Sequence, residues 1–572
     1  MANGMAALYV GASGVRSNMN ALNTTANNLA NVNTTGYTRQ QVVFDDTAYN
    51  TVGRTDINTL KVGLGVDVQD VRRVRDDFLD RAYRTEVGRR YFYETQYDAL
   101  TEIEEQFGEL EGVKFQDYME DLKASIQEVA KNPNSTVTRA SLVQSASAFL
   151  DKANAVHSGL VDYQNTLNIK VEGLVKDINE LGEKISKLNT EIASIEFSGQ
   201  TANDLRDQRD QAIDKLGRLV NITYDEKLDG AIDISIEGIP FIEKEVLFPM
   251  GVAHVGDNSL STPVWTHLNN REVFTLNVEI NTDKGNDVGE LKGVLLARGS
   301  YVPNHTDIPN IPLRNDYASD ADYEAAYEAY KVEAEHFYKN IEPSVVMKAL
   351  AGLDKLVNSM VESINNVLCP NKTIEIDGVE YTVLDTDKAG CGTDDEHTIG
   401  EELFSRMHTK RYVETEINGE TYYVYNNINY FGNESLYTIG NLEINPNVLT
   451  DYSKIPLSTE LGEENFKLAE ELVSIWDDKN IALKPDVYGR QDFDTFYMNM
   501  VSDLANTGEV LVSMAQGQES MALELDNRRQ QPAGVSSDEE LTNMIRFQNA
   551  YNAASRYVNV VSEMLEHLIE RL

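Results

Sequence analysis

The 572 residues contain only two cysteines, Cys369 and Cys391. A chain this poor in cysteine carries no disulfide framework, and two free thiols are the simpler reading of the pair. Histidine is also sparse, with eight scattered residues that suggest no metal or catalytic cluster. No HExxH, CxxC, GxSxG or phosphate-loop pattern occurs, and Gly63 and Gly65 read as turn residues because no dinucleotide fingerprint follows them. Long apolar runs are missing as well. None approaches the roughly 18 uncharged residues of a membrane span, and Met1–Val10 lacks the basic-then-apolar build of a cleavable secretory signal. These absences point away from an enzyme, a cofactor, a bound metal and a membrane protein.

Basic residues are few. Against 93 Asp and Glu stand 50 Lys and Arg, a net charge of −43 that repels nucleic acid and anionic membrane. The acid is unevenly placed. Residues 1–44 contain no Asp or Glu and only Arg16 and Arg39, while residues 541–572 balance three arginines with three glutamates. Neutral, patterned ends on an acidic body read as contact surfaces flanking a solvated one.

The N-terminal segment shows a seam of 3.5-residue period: Leu8, Val15, Leu22 and Leu29, with Ala12, Met19 and Ala26 between them. Its other face is rich in asparagine, a poor helix former, so this helix needs a partner. It should stop near Asn33, where Gly36 supplies a positive-φ turn. The C-terminal segment carries a second seam through Leu541, Met544, Gln548, Tyr551, Val558, Leu565 and Leu568, opened by a capping signal at Ser536 or Ser537 with Glu539 and Glu540. Between them, residues 149–195 alternate apolar side chains in steps of four and three, from Phe149 to Ile195, predicting a rod about 70 Å long.

Residues 222–345 turn β-like, with alternation in Ile232–Ile236 and in Phe274–Val278 and a helical insert over Tyr323–Tyr338. Heptads return at Leu350–Val367. Two hairpins are predicted at Asp377-Gly378 and Asn418-Gly419, dipeptides suited to type I′ turns. Asp385, Asp387, Gly390 and Glu396 fall at calcium-loop spacing, but Ala389 stands where an oxygen ligand belongs, so a solvated acidic loop is the better reading.

The stretch from Asn28 through Asn31, Asn33, Gly36, Tyr37, Arg39 and Gln40 resembles the N-terminal signature of bacterial flagellar axial proteins, the rod, hook and hook-associated proteins. Three further stretches are similar to the hook–filament junction members of that family. One contains Asp204, Asp207, Arg209 and Asp210. The second is Gly289–Leu295 with the helix after it, and the third runs from Gly534 through Glu539 and Glu540 to Gln548 and Tyr551. Thr35 and Ser537 depart from the family's usual Pro and apolar residue.

The resemblance implies an α+β multidomain fold with paired, coiled-coil-like terminal helices, a long helical rod domain and β-rich outer domains inserted in the middle. The expected division is 1–44 assembly helix and turn, 45–222 helical rod with a short β segment, and 223–345 β-rich domain with a helical insert. A scaffold helix follows at 346–369, a variable β-rich insertion at 370–490, and the return to the scaffold with the C-terminal assembly helix at 491–572. The implied function is that of an extracellular structural subunit, exported without a cleavable signal, that joins hook to filament. Its implied partners are further copies in a ring or tube, the hook protein, a second junction protein on the flagellin side, and a cytoplasmic chaperone on the C-terminal helix. The alternatives are another hook or rod subunit, or a surface adhesin.

Overall fold

The computed structural model describes residues 2–47, 49–54, 59–108, 114–254, 260–426, 435–479, 481–485 and 489–571. Its scaffold is helical. α1 (Ala2–Ala30) leads through a turn into an antiparallel pair, β1 (Gln40–Asp46) with β4 (Val66–Arg73), which brackets the hairpin β2 (Asn50–Arg54) and β3 (Thr59–Val62). α2 (Asp77–Phe107) starts where Asp76 caps the amides of Phe78 and Leu79, and it ends at Gly108 in the left-handed region. α3 (Phe115–Lys131), α4 (Thr136–Glu196) and α5 (Asn203–Leu219) complete the first bundle.

α4 is the rod. Its 61 residues span about 90 Å. The buried face follows the sequence seam from Phe149 to Ile192, but Gln164 and Gly182 are buried where Tyr163 and Leu181 were expected, and Ile195 is exposed. An α-helix drifts against a 3.5-residue repeat, so a long seam must shift by a residue. Both replacements serve a neighbour. Gln164 donates to the carbonyls of Arg298 and Tyr301, and a Cβ on Gly182 would sit 2.6 Å from the Phe241 ring.

Four strands form a meander against the rod: β5 (Ile222–Glu226), β6 (Ile232–Ile236), β7 (Ile239–Glu243) and β8 (Val246–Leu247). A three-stranded sheet follows in β9 (Met250–His254), β10 (Ser261–Trp265) and β11 (Arg271–Glu272). Strands end there. Phe274–Val278 forms none, although Phe274 is buried, and the rest of 223–345 is helix and irregular chain: α6 (Glu290–Arg298), α7 (Asp320–His336) and a π-turn. The alternation marked a segment lying on a core, not one with a strand to pair with.

α8 (Val345–Leu368) is buried nearly all round and forms the central spine of the core. Beyond it, β12 (Asn371–Ile376), β13 (Val379–Leu384), β14 (Phe404–Arg406), β15 (Tyr412–Ile417), β16 (Glu420–Tyr425) and β17 (Leu442–Ile444) form two sheets, in orders β12-β13-β16-β15 and β14-β17. Asp377, Gly378, Asn418 and Gly419 all have positive φ, as type I′ turns require. α9 (Pro446–Thr450) and α10 (Phe466–Ser474) close this module, and α11 (Phe493–Ala533) runs back along α2 to α12 (Ser537–Glu570). Cys369 and Cys391 are both free and buried. The Asp385 carboxylate is taken up by Lys372 at 3.3 Å and Lys388 at 3.4 Å, and Asp387 by Lys372 at 3.2 Å.

Candidate functional site

α1 and α12 pack side by side, and the contact is made by small residues on α1. Its buried face, which also packs on β1 and β4, is Gly11, Ser17, Ala21, Thr25 and Asn28, with Ser17 bonded to the Val66 carbonyl at 3.0 Å. A Cβ on Gly11 would lie 2.6 Å from Val558 Cγ2, and one on Gly14 would lie 3.3 Å from Ala554 Cβ. The Leu/Ala/Met seam is therefore not the intramolecular contact. Leu8, Val15, Leu22 and Leu29 flank it half-buried, and Ala12, Met19 and Ala26 face outward. On α12, Val561 is buried, Met544, Tyr551, Val558 and Leu565 are half-buried, and Leu541, Gln548 and Leu568 are exposed.

An outward apolar stripe remains near the end of α12, through Tyr557, Val560, Met564 and Leu568, and Leu541 with Ile545 forms a separate exposed pair near its start; Ile545 is 60 %, Met564 63 % and Leu568 55 % exposed. At about 25 cal/mol per Å² such side chains gain one to three kcal/mol each when covered, so this surface is poised for a further contact.

The helix pair is tied to the rest of the protein by a polar junction in which three distant stretches converge. The buried Asn28 side chain accepts from the Tyr37 hydroxyl (2.9 Å) and the Gln40 amide (3.0 Å), and donates to the Gln40 carbonyl (2.9 Å) and to Glu540 (3.1 Å). Arg39 donates to Glu540 at 2.8 Å and lies 3.1 Å from Glu539, while its amide donates to the Ala533 carbonyl. That clamps the start of α12 to the turn after α1. The same turn is held to α5: the Thr38 amide donates to Asp207 (3.0 Å), Gln40 to Asp204 (3.1 Å), and Gln211 to the Thr35 carbonyl (2.9 Å). Gly36 has φ 77°, and any Cβ there would collide with Gln211.

From α5 the network passes into the bundle. Arg73 donates to Asp207 (2.9 Å) and Asp210 (2.6 Å), and Arg75 bridges Asp210 (2.9 Å) to Asp80 with two bonds. Arg84 and Arg529 share Asp214 at 2.7 Å each, which joins α2 and α11. Burial alone would raise the Asp210 carboxyl, but Arg75, Arg73 and Arg84 outweigh it and hold its pKa down to about 2. Asp207, with a single arginine, is pushed up by its burial. Burial, then Asp204, Asp207 and Glu540, raise the Tyr37 hydroxyl.

Not every signature residue joins. Arg209 is fully buried elsewhere, bonding Asn189 and the Gly230 carbonyl to tie α5 to the β5–β8 sheet. Asn31 bonds only locally, to Asn27 and Thr34, and Asn33 is exposed. Conversely, Asn28 as the centre, Arg73, Arg75, Arg84, Asp214, Arg529 and the Gly11–Gly14 pair were not singled out from sequence. The run Arg72-Arg73-Val74-Arg75 in so acidic a chain was the available signal. Nothing in this arrangement positions a nucleophile with a base. It is built to hold elements together.

Residues 100–368 match the family described as flagellar hook-associated protein FlgK helical domain. Residues 8–38 match the flagella basal body rod protein family, and residues 533–571 match the flagellar basal body rod FlgEFG protein C-terminal family. Flagellar hook-associated protein 1 of Bacillus subtilis (strain 168) is 26% identical over 555 residues, covering 96% of this chain and 94% of that protein. The protein of that name from Escherichia coli (strain K12) is 24% identical over 571 residues, covering 97% and 98%. Among solved structures, the flagellar hook junction protein FlgK from Burkholderia pseudomallei aligns with a TM-score of 0.50 at 12% identity, over 79% of this chain and all of that one. That last likeness speaks for the fold.

Proposed function

Because this chain belongs to the flagellar hook-associated protein 1 family, we propose that its terminal helix pair is the element by which it assembles at the junction of hook and filament. It is a structural subunit of the bacterial flagellum, outside the cell, and no described helix is long and apolar enough to cross a membrane. The observation that carries the proposal is the outward apolar surface of α12, paired with an α1 whose single charge is Arg16. Copies packed through that stripe would form the inner wall of a tube, with the α2–α5 bundle as the next layer and the acidic β-rich modules outermost. Tube walls need long, neutral, laterally sticky helices, and a solvated outer layer discourages aggregation.

The finer partners follow from the same reading. The hook protein would lie on one side and a second junction protein, leading to flagellin, on the other. An export chaperone would cover the α12 stripe before assembly, since that surface is the one most in need of cover. No bond is made or broken: the work of the protein is adhesion between two tubes.

A clean deletion is expected to leave hooks of normal length without filaments, with flagellin lost to the medium. Electron microscopy of sheared cells and immunoblots of culture supernatant measure both. Filaments of normal number on the deletion strain would overturn the assignment.

A further inference from the structure

The three-stranded sheet β9–β11, the irregular segment after it and α6 enclose a cleft of about 730 Å³. That is ample for a small organic molecule. Part of its wall is apolar, with Phe274 and Leu295 buried and Leu276 half-buried. Two of its lining residues are unusual. Lys292 and Arg298 are each only 3% exposed, and buried cations are costly unless paired.

Some buried arginines elsewhere are met more fully, although Arg406, also 3 % exposed, likewise bonds only carbonyls and leaves its Nε without an acceptor among the described residues. Arg84 has Asp214, and Arg139, which has no carboxylate, satisfies all three of its nitrogens on neutral acceptors. Arg298 differs from both. Its Nε donates to the Gly299 carbonyl (3.0 Å) and its Nη1 to Asn168 (2.6 Å) and the Ser261 carbonyl (2.9 Å), while Nη2 has no acceptor among the described residues. With no carboxylate beside it, burial draws its pKa down to about 10. The Lys292 ammonium carries three donors and, among the described residues, meets Glu237 Oε1 at 3.5 Å. Arg271 and Lys339 stand on the same lining, Arg271 beside the further carboxylate of Glu272 and Lys339 held by Glu335 at 2.5 Å. The cleft is thus positive in a chain of net charge −43.

We infer that this cleft binds an organic anion, a carboxylate or phosphate carried on an apolar body, with the acid group against Arg298 and Lys292 and the body against Phe274 and Leu276. Arg298 supplies a donor whose guanidinium is already fixed by three bonds, and Glu237 is the competitor that the incoming acid displaces from Lys292. Burial pushes the Glu237 carboxyl up, which eases that displacement.

Calorimetric titration of the full chain tests this with phenyl phosphate and phenylacetate as probes, and with inorganic phosphate and benzyl alcohol as the anion and the apolar body alone. Saturable binding of either aromatic anion is expected, the stronger of the two identifying phosphate or carboxylate as the acid group. Weaker binding is expected for both partial probes. Lys292→Met should weaken binding roughly tenfold or more, as loss of a charged hydrogen bond does, and Glu237→Gln should tighten it by freeing the ammonium. Melting curves verify that both variants are folded. Absence of binding by both aromatic anions, equal binding of benzyl alcohol, or no change in the two folded variants would each overturn the site.

Discussion

Replacing Asp210 by alanine is expected to destabilise the helical bundle by on the order of 3–5 kcal/mol, as removing one partner of a buried ion pair does. The Asp210 carboxylate accepts from Arg73 and Arg75 and lies 3.8 Å from Arg84. Without it, three largely buried guanidiniums face one another in a region walled by α2, α5 and β4. The thermal transition should drop by roughly 10 °C, as calorimetry measures. The pH dependence carries a sign. Asp210 has a folded pKa of about 2, below the ordinary aspartate value of about 3.9, so its stabilisation is complete above pH ~4 and is lost as pH falls through about 2. Asp210→Ala should lack that acid-side loss. A bundle transition within a degree or two of the parent at pH 7 would show that the arginines are satisfied without Asp210.

Gly11→Leu is expected to disable assembly without harming the monomer core. The Cβ alone would approach Val558 Cγ2 to 2.6 Å, and three further carbons would follow it into a contact that holds no space for them. Overpacking of this kind costs about 1–3 kcal/mol where the neighbours can shift. Here it would pry α1 from α12 at Gly11, leaving α1 held by its packing on β1 and β4 and α12 by the Arg39–Glu540 clamp. Trypsin should then cut α1 and α12 faster than in the parent, and hook-tip incorporation should fall below detection. The core melt should stay unchanged, since α1 contributes little to the buried cluster of α2, α4, α8 and α11. Normal incorporation of Gly11→Leu would mean that the close α1–α12 contact is dispensable.

The two features easiest to read from sequence were those decided locally. Asp377-Gly378 and Asn418-Gly419 turn where their backbone preferences dictate, and α4 is a rod because its apolar period holds for most of its length. The α1 seam does not mark the intramolecular contact, for a physical reason. A hydrophobic period finds the stickiest face, and here the intramolecular face is made of Gly, Ser, Ala, Thr and Asn, which allow close approach instead of contributing apolar area. Leu22 and Leu29 flank that contact half-buried, and Met19 faces away from it. The junction was legible as separate signatures but not as a site. Its bonds join residues 169 and 501 positions apart, Thr38 to Asp207 and Arg39 to Glu540, and no local pattern says which distant acid an arginine will meet. Phe274–Val278 failed in the opposite sense, because alternation reports burial on one side and a strand also needs a neighbour.

The most direct test of the central claim, that the outward apolar side chains of α12 form the assembly surface, is incorporation of purified protein onto isolated hooks. Adding the protein from outside bypasses export and chaperone binding, so a defect reports assembly alone. Ile545→Asp and Leu568→Asp place a carboxylate on side chains that are more than half exposed in the subunit, so their melting curves should match the parent. In the assembled wall the same carboxylates would be buried without a partner, at a cost of several kcal/mol in every subunit. Both variants are therefore expected to melt normally and to leave hook tips uncapped, as counted by immunogold labelling. Ile545→Asp and Leu568→Asp proteins that cap hooks as the parent does would contradict the account.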